Sequence, residues 1–356
     1  MDFLHEAHFF LHPEPEKRSR RIHPVFLPFS GCPGRCLFCA QDVQTGIAPD
    51  SGPGSIMRAL TRTGEALRAS RGQGFPVPDL AFFGGTFTAL PASELHECLR
   101  AAELWKGEGL ISDLRCSTRP DALTPQVLDE LKSAGFSLIE LGVQSFSEEA
   151  LALSRRGYTA EQALRGCAMV REAGLALGVQ LMPGMPGLDR DAARRDAVLA
   201  ASLSPSCARL YPCLVLEGTA LAAWWREGRY IPWSLDDSVE YLARALRVFW
   251  RARAPVIRMG LAEEPGLAGH VLAGPRHPNI GGMARGLALF SFVREEIETC
   301  RVRMRPLRGI RLFVPRRHQG EFWGQRGGLA SEYASIGLSR EKVRFWDDGR
   351  FALVFD

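Results

Sequence analysis

The sequence predicts an α/β fold: a partial (β/α)6 TIM-like barrel with a small C-terminal α/β appendage. Three observations predict it. Six short apolar runs alternate with amphipathic segments of helical period, the pattern of parallel βαβ units with right-handed crossovers. Nearly every run ends in glycine or polar residues, as in Gly84-Gly85-Thr86, Ser117-Thr118-Arg119, Gln144-Ser145 and Pro183-Gly184. Functional groups at successive strand ends mark a barrel mouth, whereas a doubly wound sheet gathers them at one switch point. From about Arg301 onward the periodic pattern changes character.

In chain order, strands are expected over 25–29, 80–83, 114–117, 138–143, 176–182 and 208–216. Helices are expected over 124–134, 148–154, 159–173 and 190–201, and another begins near Ser234, a plausible N-cap followed by Asp236 and Asp237. Residues 260–282, rich in glycine and proline and carrying His270 and His277, read as a long loop over the barrel mouth. Beyond it, 309–315 is strand-like, 321–336 mostly helical, and 343–345 with 351–355 resembles a hairpin around Asp347-Asp348-Gly349. The expected organisation is a basic N-terminal tail over 1–22, the barrel over 23–300 and a small basic module over 301–356. His5, His8 and His12 fall in the tail, which is expected to lack order.

A chain of 356 residues, 46% hydrophobic and 24% charged, buries one large core with room for an appendage. The formal charge of +4 permits a polyanionic partner without demanding one. Positive charge gathers in Lys17-Arg18-Ser19-Arg20-Arg21 and in Arg301, Arg303, Arg305, Arg308, Arg311, Arg316 and Arg317; a solvated basic face is the simplest account. No run approaches the roughly 18 apolar residues of a membrane span, and the first residues lack the basic start and apolar run of a secretory signal. Of nine cysteines, Cys98, Cys116, Cys167, Cys207, Cys213 and Cys300 sit scattered in apolar surroundings as small hydrophobes. A reducing, cytoplasmic home is expected.

The other three carry the chemistry. Gly31-Cys32-Pro33-Gly34-Arg35-Cys36-Leu37-Phe38-Cys39 follows the first apolar run and places Cys32, Cys36 and Cys39 as Cys-x3-Cys-x2-Cys. Three thiolates on one loop hold three irons of a 4Fe–4S cluster and leave the fourth open to a ligand. Zinc also uses Cys-x2-Cys, but a structural zinc takes four ligands and no second Cys-x2-Cys or His-x3-His follows.

With Phe38 before the third cysteine, the loop resembles the Cys-x3-Cys-x-aromatic-Cys of the radical S-adenosylmethionine superfamily. That resemblance implies that the open iron is chelated by the amino and carboxylate groups of S-adenosylmethionine, with Phe38 against adenine. It implies reductive cleavage of the sulfonium to a 5′-deoxyadenosyl radical, which abstracts hydrogen from substrate. It places Gly84, Gly85 and Thr86 at the methionine amino group, where glycines let backbone carbonyls come close. Within the superfamily the chain resembles the radical domain of the Elongator catalytic subunit. The residues that carry this are Phe82-Phe83-Gly84-Gly85-Thr86-Phe87-Thr88, Ser117-Thr118-Arg119-Pro120-Asp121, Glu140-Leu141-Gly142-Val143-Gln144-Ser145, Gln180-Leu181-Met182-Pro183-Gly184-Met185-Pro186-Gly187 and Arg209-Leu210-Tyr211-Pro212. Oxygen-independent coproporphyrinogen oxidases show the same order more loosely. In both groups the positions matching Ser117, Gln144, Arg156 and Gln180 contact S-adenosylmethionine, and Arg156 suits the methionine carboxylate as a permanent cation.

The first cysteine gap is shorter than Elongator's, and only about a hundred residues follow Gly260, where Elongator continues into an acetyltransferase. The resemblance is therefore to a shorter, bacterial Elongator-like group whose name does not fix the substrate; the Elongator resemblance and the basic C-terminal module together make a transfer RNA nucleoside the expected one. Gly324-Gln325-Arg326-Gly327 resembles the Gly-x-x-Gly clamp of a KH module, though a plain loop accounts for it equally well. The expected protein is a radical enzyme supplied with electrons by a ferredoxin or flavodoxin. Its rivals are a radical enzyme of a small-molecule or porphyrin-related substrate, and a cluster-containing binding protein without catalysis. No protein acid or base is needed for the first step, so none is assigned.

Overall fold

The computed structural model describes residues 7–15, 20–47, 52, 54–261, 266–303 and 309–355. His5, Lys17, Arg18, Arg305, Arg308, the side chain of Arg303 and residues 262–265 of the long loop lie outside them. The strands are β1 (His8–Phe10), β2 (Ile22–Leu27), β3 (Asp79–Gly84), β4 (Leu114–Thr118), β5 (Phe136–Gln144), β6 (Ala176–Leu181), β7 (Cys207–Leu210), β8 (Val215–Leu216), β9 (Val256–Met259), β10 (Val271–Ala273), β11 (Ile310–Pro315), β12 (Val343–Trp346) and β13 (Phe351–Phe355). The helices are α1 (Gln41–Thr45), α2 (Ser55–Gly72), α3 (Ala92–Gly107), α4 (Pro125–Ser133), α5 (Glu148–Leu153), α6 (Ala160–Glu172), α7 (Arg190–Ser202), α8 (Ala220–Arg226), α9 (Leu235–Arg251), α10 (Ile280–Arg303), α11 (Gln319–Phe322) and α12 (Ala330–Ser335). Contacts divide the described chain into two compact units, 20–234 with 254–276, and 7–15 with 235–253 and 277–355.

In the larger unit seven strands form one parallel sheet in the order β2-β3-β4-β5-β6-β7-β9. Its edges β2 and β9 are not paired to each other, so the barrel is partial, as predicted. All six expected strands are present. The seventh, β9, is four residues long with Arg258 inside it, too short and too polar to stand out from sequence. The expected strand over 208–216 stops at Leu210, because Pro212 has no N–H for the ladder. Val215 and Leu216 pair instead with β10. The central strand β5 is buried at every position but Ser137, as a parallel strand covered on both faces must be. The crossover helices start where side chains cap them. Thr124 accepts from Val127 N–H, Thr159 and Gln162 close a capping box, and Asp189 accepts from Ala192 N–H.

The smaller unit corrects three expectations. The boundary near residue 300 falls inside α10, whose Leu289, Phe290, Val293, Ile297 and Cys300 share one core with Ile310, Leu312, Val314, Tyr333, Phe351 and Leu353. A helix that buries its apolar stripe against the C-terminal sheet belongs with that sheet. The N-terminal tail supplies β1, which pairs antiparallel with β13, and Phe10 stacks on Phe351 at 5.1 Å. The expected hairpin does not form: the sheet runs β1-β13-β11-β12, and β11 separates the two strands. Leu312 and Val314 of β11 are fully buried, and that strand takes the interior place.

His12, expected in a disordered tail, instead faces Glu321 Oε1 through Nε2 at 3.3 Å. His318 Nδ1 faces Glu321 Oε2 at 3.6 Å. The imidazoles stack 4.4 Å apart and 14° from parallel, and each meets a separate oxygen of the carboxylate. The two histidines hold the Glu321 carboxyl at about 2 against the upward push of burial.

Tyr333 is fully buried, and its hydroxyl has no hydrogen-bond partner among the described residues. Tyr333→Phe removes an unsatisfied polar group. Urea unfolding is expected to show stability unchanged or raised by about 1 kcal/mol; a loss of that size would reveal a partner for the hydroxyl.

Candidate active site

The cysteine loop is set by backbone contacts with the end of β3. Gly85 N–H donates to Leu27 O at 2.9 Å and Thr86 N–H to Ser30 O at 2.8 Å. A Cβ on Gly85 would lie 1.8 Å from Ser30 O, and one on Gly31 (φ +71°) 2.3 Å from Thr86 O. Two chain segments touch here main chain to main chain, and only glycine leaves the room. Sequence reasoning gave Gly84 and Gly85 to an incoming ammonium; the structure gives Gly85 first to this docking. Within the loop Cys32 N–H donates to Phe29 O at 3.0 Å, Cys39 N–H to Cys36 O at 3.1 Å and Leu37 N–H to Ser154 O at 3.1 Å. The fully buried Leu37 pins the loop to the core.

Every predicted site residue lines one cavity of 490 Å³. Cys32, Cys36, Cys39 and Phe38 come from the loop, Gly84 from the end of β3, Gly85 and Thr86 from the turn after it, Ser117 from β4, Gln144 from β5, Gln180 from β6, and Arg156 from beyond α5. Tyr211, just past the end of β7, lines it too. His270 and His277 do not; they meet Glu217 Oε2 at 3.1 Å and the Asn279 N–H at 3.0 Å.

The three cysteines are free thiols. Among the described residues, the trio whose ligand atoms all lie within 4.8 Å of one another is His12, His318 and Glu321, not these cysteines. A cluster offers a separate iron to each thiolate, so its sulfurs stand farther apart than the ligands of one ion. The donor set, three thiols of one loop lining one cavity, fits a cluster. Burial, with Cys36 and Cys32 close by, pushes the Cys39 thiol up to about 12, so iron must displace a firmly held proton there.

Arg156 gives Nη1 to Cys36 Sγ at 3.0 Å, Nη2 to Gly142 O at 2.7 Å and Nε to the Tyr158 hydroxyl at 3.0 Å. The Tyr158 hydroxyl in turn donates to Gly142 O and Val143 O at 2.9 and 2.8 Å. Arg119 bonds Asp121 in a two-point pair at 2.9 and 2.8 Å and caps the Arg156 carbonyl. Gln144 adopts φ +66°, and its side-chain Oε1 is buried without a partner, an acceptor left open beside the cavity. The residues after it are fastened to α7, where Asp196 accepts from Ser145 Oγ and from Phe146 N–H at 3.0 Å.

Sequence reasoning missed the ionic floor. Glu140 on β5, 1% exposed, accepts from Arg115 Nε at 3.0 Å, from Arg209 Nη2 at 3.2 Å and more weakly from Gln180 Nε2 at 3.5 Å. Gln180 Nε2 also donates to Ser117 Oγ at 3.2 Å. Burial pushes the Glu140 carboxyl up, but Arg209 and Arg115 outweigh it and hold it below the usual range. A carboxylate within the apolar run 138–143 was the available signal, since a buried charge demands a partner.

A Radical SAM superfamily model matches residues 26–199, and a Radical_SAM C-terminal domain model matches 205–286. Over 251 residues, 60% of this chain and 46% of the relative, it is 29% identical to the tRNA uridine(34) acetyltransferase of Methanocaldococcus jannaschii. It is 29% identical to the mouse Elongator complex protein 3 over 185 residues, 46% of this chain and 34% of that protein. The chain spans about half the length of the first of these relatives or less. Archaeal Methanocaldococcus infernus Elp3 superposes with a TM-score of 0.59 at 21% identity, over 78% of this chain and 63% of that one, and shares its fold. With the cysteine loop and cavity described, the chain belongs to the radical S-adenosylmethionine superfamily and is an enzyme of that class. Within the superfamily it is Elongator-like, and its cofactors are a 4Fe–4S cluster and S-adenosylmethionine. No helix among the described residues is long and apolar enough to cross a membrane.

Gly85→Ala is expected to cost about 3 kcal/mol or more and to abolish the visible absorbance of the reconstituted cluster. Gly34→Ala meets nothing within 4 Å and is expected to stay within about 0.5 kcal/mol of the natural protein by thermal unfolding. Glu140→Gln strands two buried guanidinium groups at an expected cost of about 3–5 kcal/mol. Because the folded carboxyl lies below its unfolded value, about 4.3, the contribution is complete above that pH and lost as pH falls through the folded value. The stability gap between natural and Glu140→Gln protein should therefore be full at neutral pH and close on acidification; a gap independent of pH contradicts the assignment.

Proposed function

We propose that this chain is a radical S-adenosylmethionine enzyme that modifies a transfer RNA nucleoside. The observation that carries the proposal is its similarity, through the barrel, to proteins named tRNA uridine(34) acetyltransferase and Elongator complex protein 3. The similarity spans about half of those relatives, so the proposal concerns radical chemistry and assigns no acyl transfer.

In this proposal Cys32, Cys36 and Cys39 each bind one iron. The cluster, when bound with S-adenosylmethionine and reduced, supplies homolytic cleavage of the sulfonium. The chain's own work is to hold, orient and exclude water. Phe38 offers a face for adenine. Gly84, Gly85 and Thr86 bring backbone carbonyls to the cavity wall for the methionine amino group. Ser117 and Gln180 hold one another at the cavity floor, and Gln144 Oε1 offers its open acceptor to a hydroxyl or ammonium of the cofactor. Each nitrogen of Arg156 already has a protein partner. We therefore give Arg156 first to the Cys36 sulfur, and to the cofactor carboxylate only through its remaining N–H groups. A radical enzyme of this class needs a reductant; a cytoplasmic ferredoxin or flavodoxin is the proposed one.

The Gly324–Gly327 segment lies between α11 and α12 with Arg326 exposed at its tip (φ +55°). That placement supports a contact with an RNA phosphate. The test is 5′-deoxyadenosine formation by anaerobically reconstituted, reduced protein with and without bulk transfer RNA. Stimulation by RNA is expected, and Arg326→Glu should weaken RNA binding at low salt severalfold. RNA-independent cleavage would turn the search to a small molecule; an intact cluster without cleavage would favour a binding protein.

A further inference from the structure

The positive charge of the cavity is not balanced. Arg115 on β4 and Arg209 on β7 share one carboxylate, Glu140, so two guanidinium cations and one anion leave one positive charge over. These side chains are 14%, 11% and 1% exposed, so water does little to screen the excess. Of the other guanidiniums lining the cavity, Arg119 is paired with Asp121 and Arg156 donates to the Cys36 sulfur.

A second cation stands beside this excess. Arg258 on β9 is the register partner of Arg209 on β7, and both line the cavity. Like charges directly opposite across a ladder are destabilising. Arg258 is exposed. The Tyr211 hydroxyl accepts from Arg209 Nη1 at 3.1 Å and helps to hold the inner guanidinium. A buried guanidinium with one positive charge over and a second, exposed one at the partner register position suit an oxyanion bearing more than one negative oxygen.

We propose that Arg258, with Arg209 beside it, forms an oxyanion subsite on the β7–β9 side of the cavity that takes the phosphate of a nucleotide substrate. S-adenosylmethionine carries no phosphate, so the subsite serves the second ligand. The proposal deepens the RNA reading and rests on it for the nucleotide; the phosphate chemistry is common to a polynucleotide and a free nucleotide.

The test uses the anaerobically reconstituted full chain and three probes: bulk transfer RNA, uridine 5′-monophosphate and uridine. Arg258→Ala is expected to weaken transfer RNA binding about tenfold at low salt and to lower the salt slope by about one, the loss of one phosphate contact. Arg258→Lys should keep most of the slope. The natural protein should prefer uridine 5′-monophosphate to uridine, and Arg258→Ala should erase that preference. An effect on both nucleotide probes supports the subsite with an RNA source. An effect on uridine 5′-monophosphate alone, without transfer RNA binding, supports the subsite and sinks the RNA reading. Affinity and slope unchanged for both probes, or no binding of either to the natural protein, overturns the subsite and leaves Arg258 a solvated surface charge.

Discussion

The site rests on one main-chain contact: the loop after β2 and the turn after β3 lie against each other with no side chain between them. Gly85 N–H to Leu27 O and Thr86 N–H to Ser30 O join the segment that carries the cysteines to the sheet. Backbone hydrogen bonds fix direction more tightly than side-chain packing, because they tie φ and ψ rather than a rotamer. The positions of Cys32, Phe38 and Cys39 follow from that junction, and Cys32 Sγ lies 3.4 Å from Thr86 Oγ1 as a direct result. Glycine at Gly31 and Gly85 is thus a condition of the architecture before it is a condition of cofactor binding.

The second constraint is the polar lining of a parallel sheet whose strands are otherwise apolar. Five of the seven strands bring Ser117, Glu140, Gln180, Arg209 and Arg258 to one side, where an ordinary core would place valines and leucines. Burying Glu140 is tolerable only because Arg115, Arg209 and Gln180 satisfy it, and the same network fixes the amide of Gln180 against Ser117. Rigidity of this floor serves radical chemistry, in which the protein's contribution is placement and exclusion of solvent. Arg156 extends the same logic to the cysteine loop, since Tyr158 and Gly142 hold its guanidinium on the Cys36 sulfur.

Much of this was legible in sequence. The cysteine spacing, the alternation of apolar runs with helical segments and the polar strand ends predict the partial barrel and the residues around its cavity. What escaped did so for physical reasons. The last strand β9 is four residues long and carries Arg258, so periodicity has too few positions to register. Glu140, Arg115 and Arg209 are far apart in sequence, and only pairing of β4 to β7 through the sheet brings them together. The N-terminal segment reads as a tail because β1 spans three residues and gains its partner, β13, from the other end of the chain. In the same way the expected hairpin failed because its turn residues are a local signal, while β11 competes for both strands from a distance.

The central claim is that Cys32, Cys36 and Cys39 hold a 4Fe–4S cluster with one iron open to S-adenosylmethionine. Electron paramagnetic resonance of the anaerobically reconstituted, dithionite-reduced protein tests it most directly, recorded before and after S-adenosylmethionine is added. The account predicts a reduced-cluster signal that changes when S-adenosylmethionine is added, because the ligand binds iron itself. A cluster signal indifferent to S-adenosylmethionine, or no cluster signal from protein with all three cysteines intact, would contradict it.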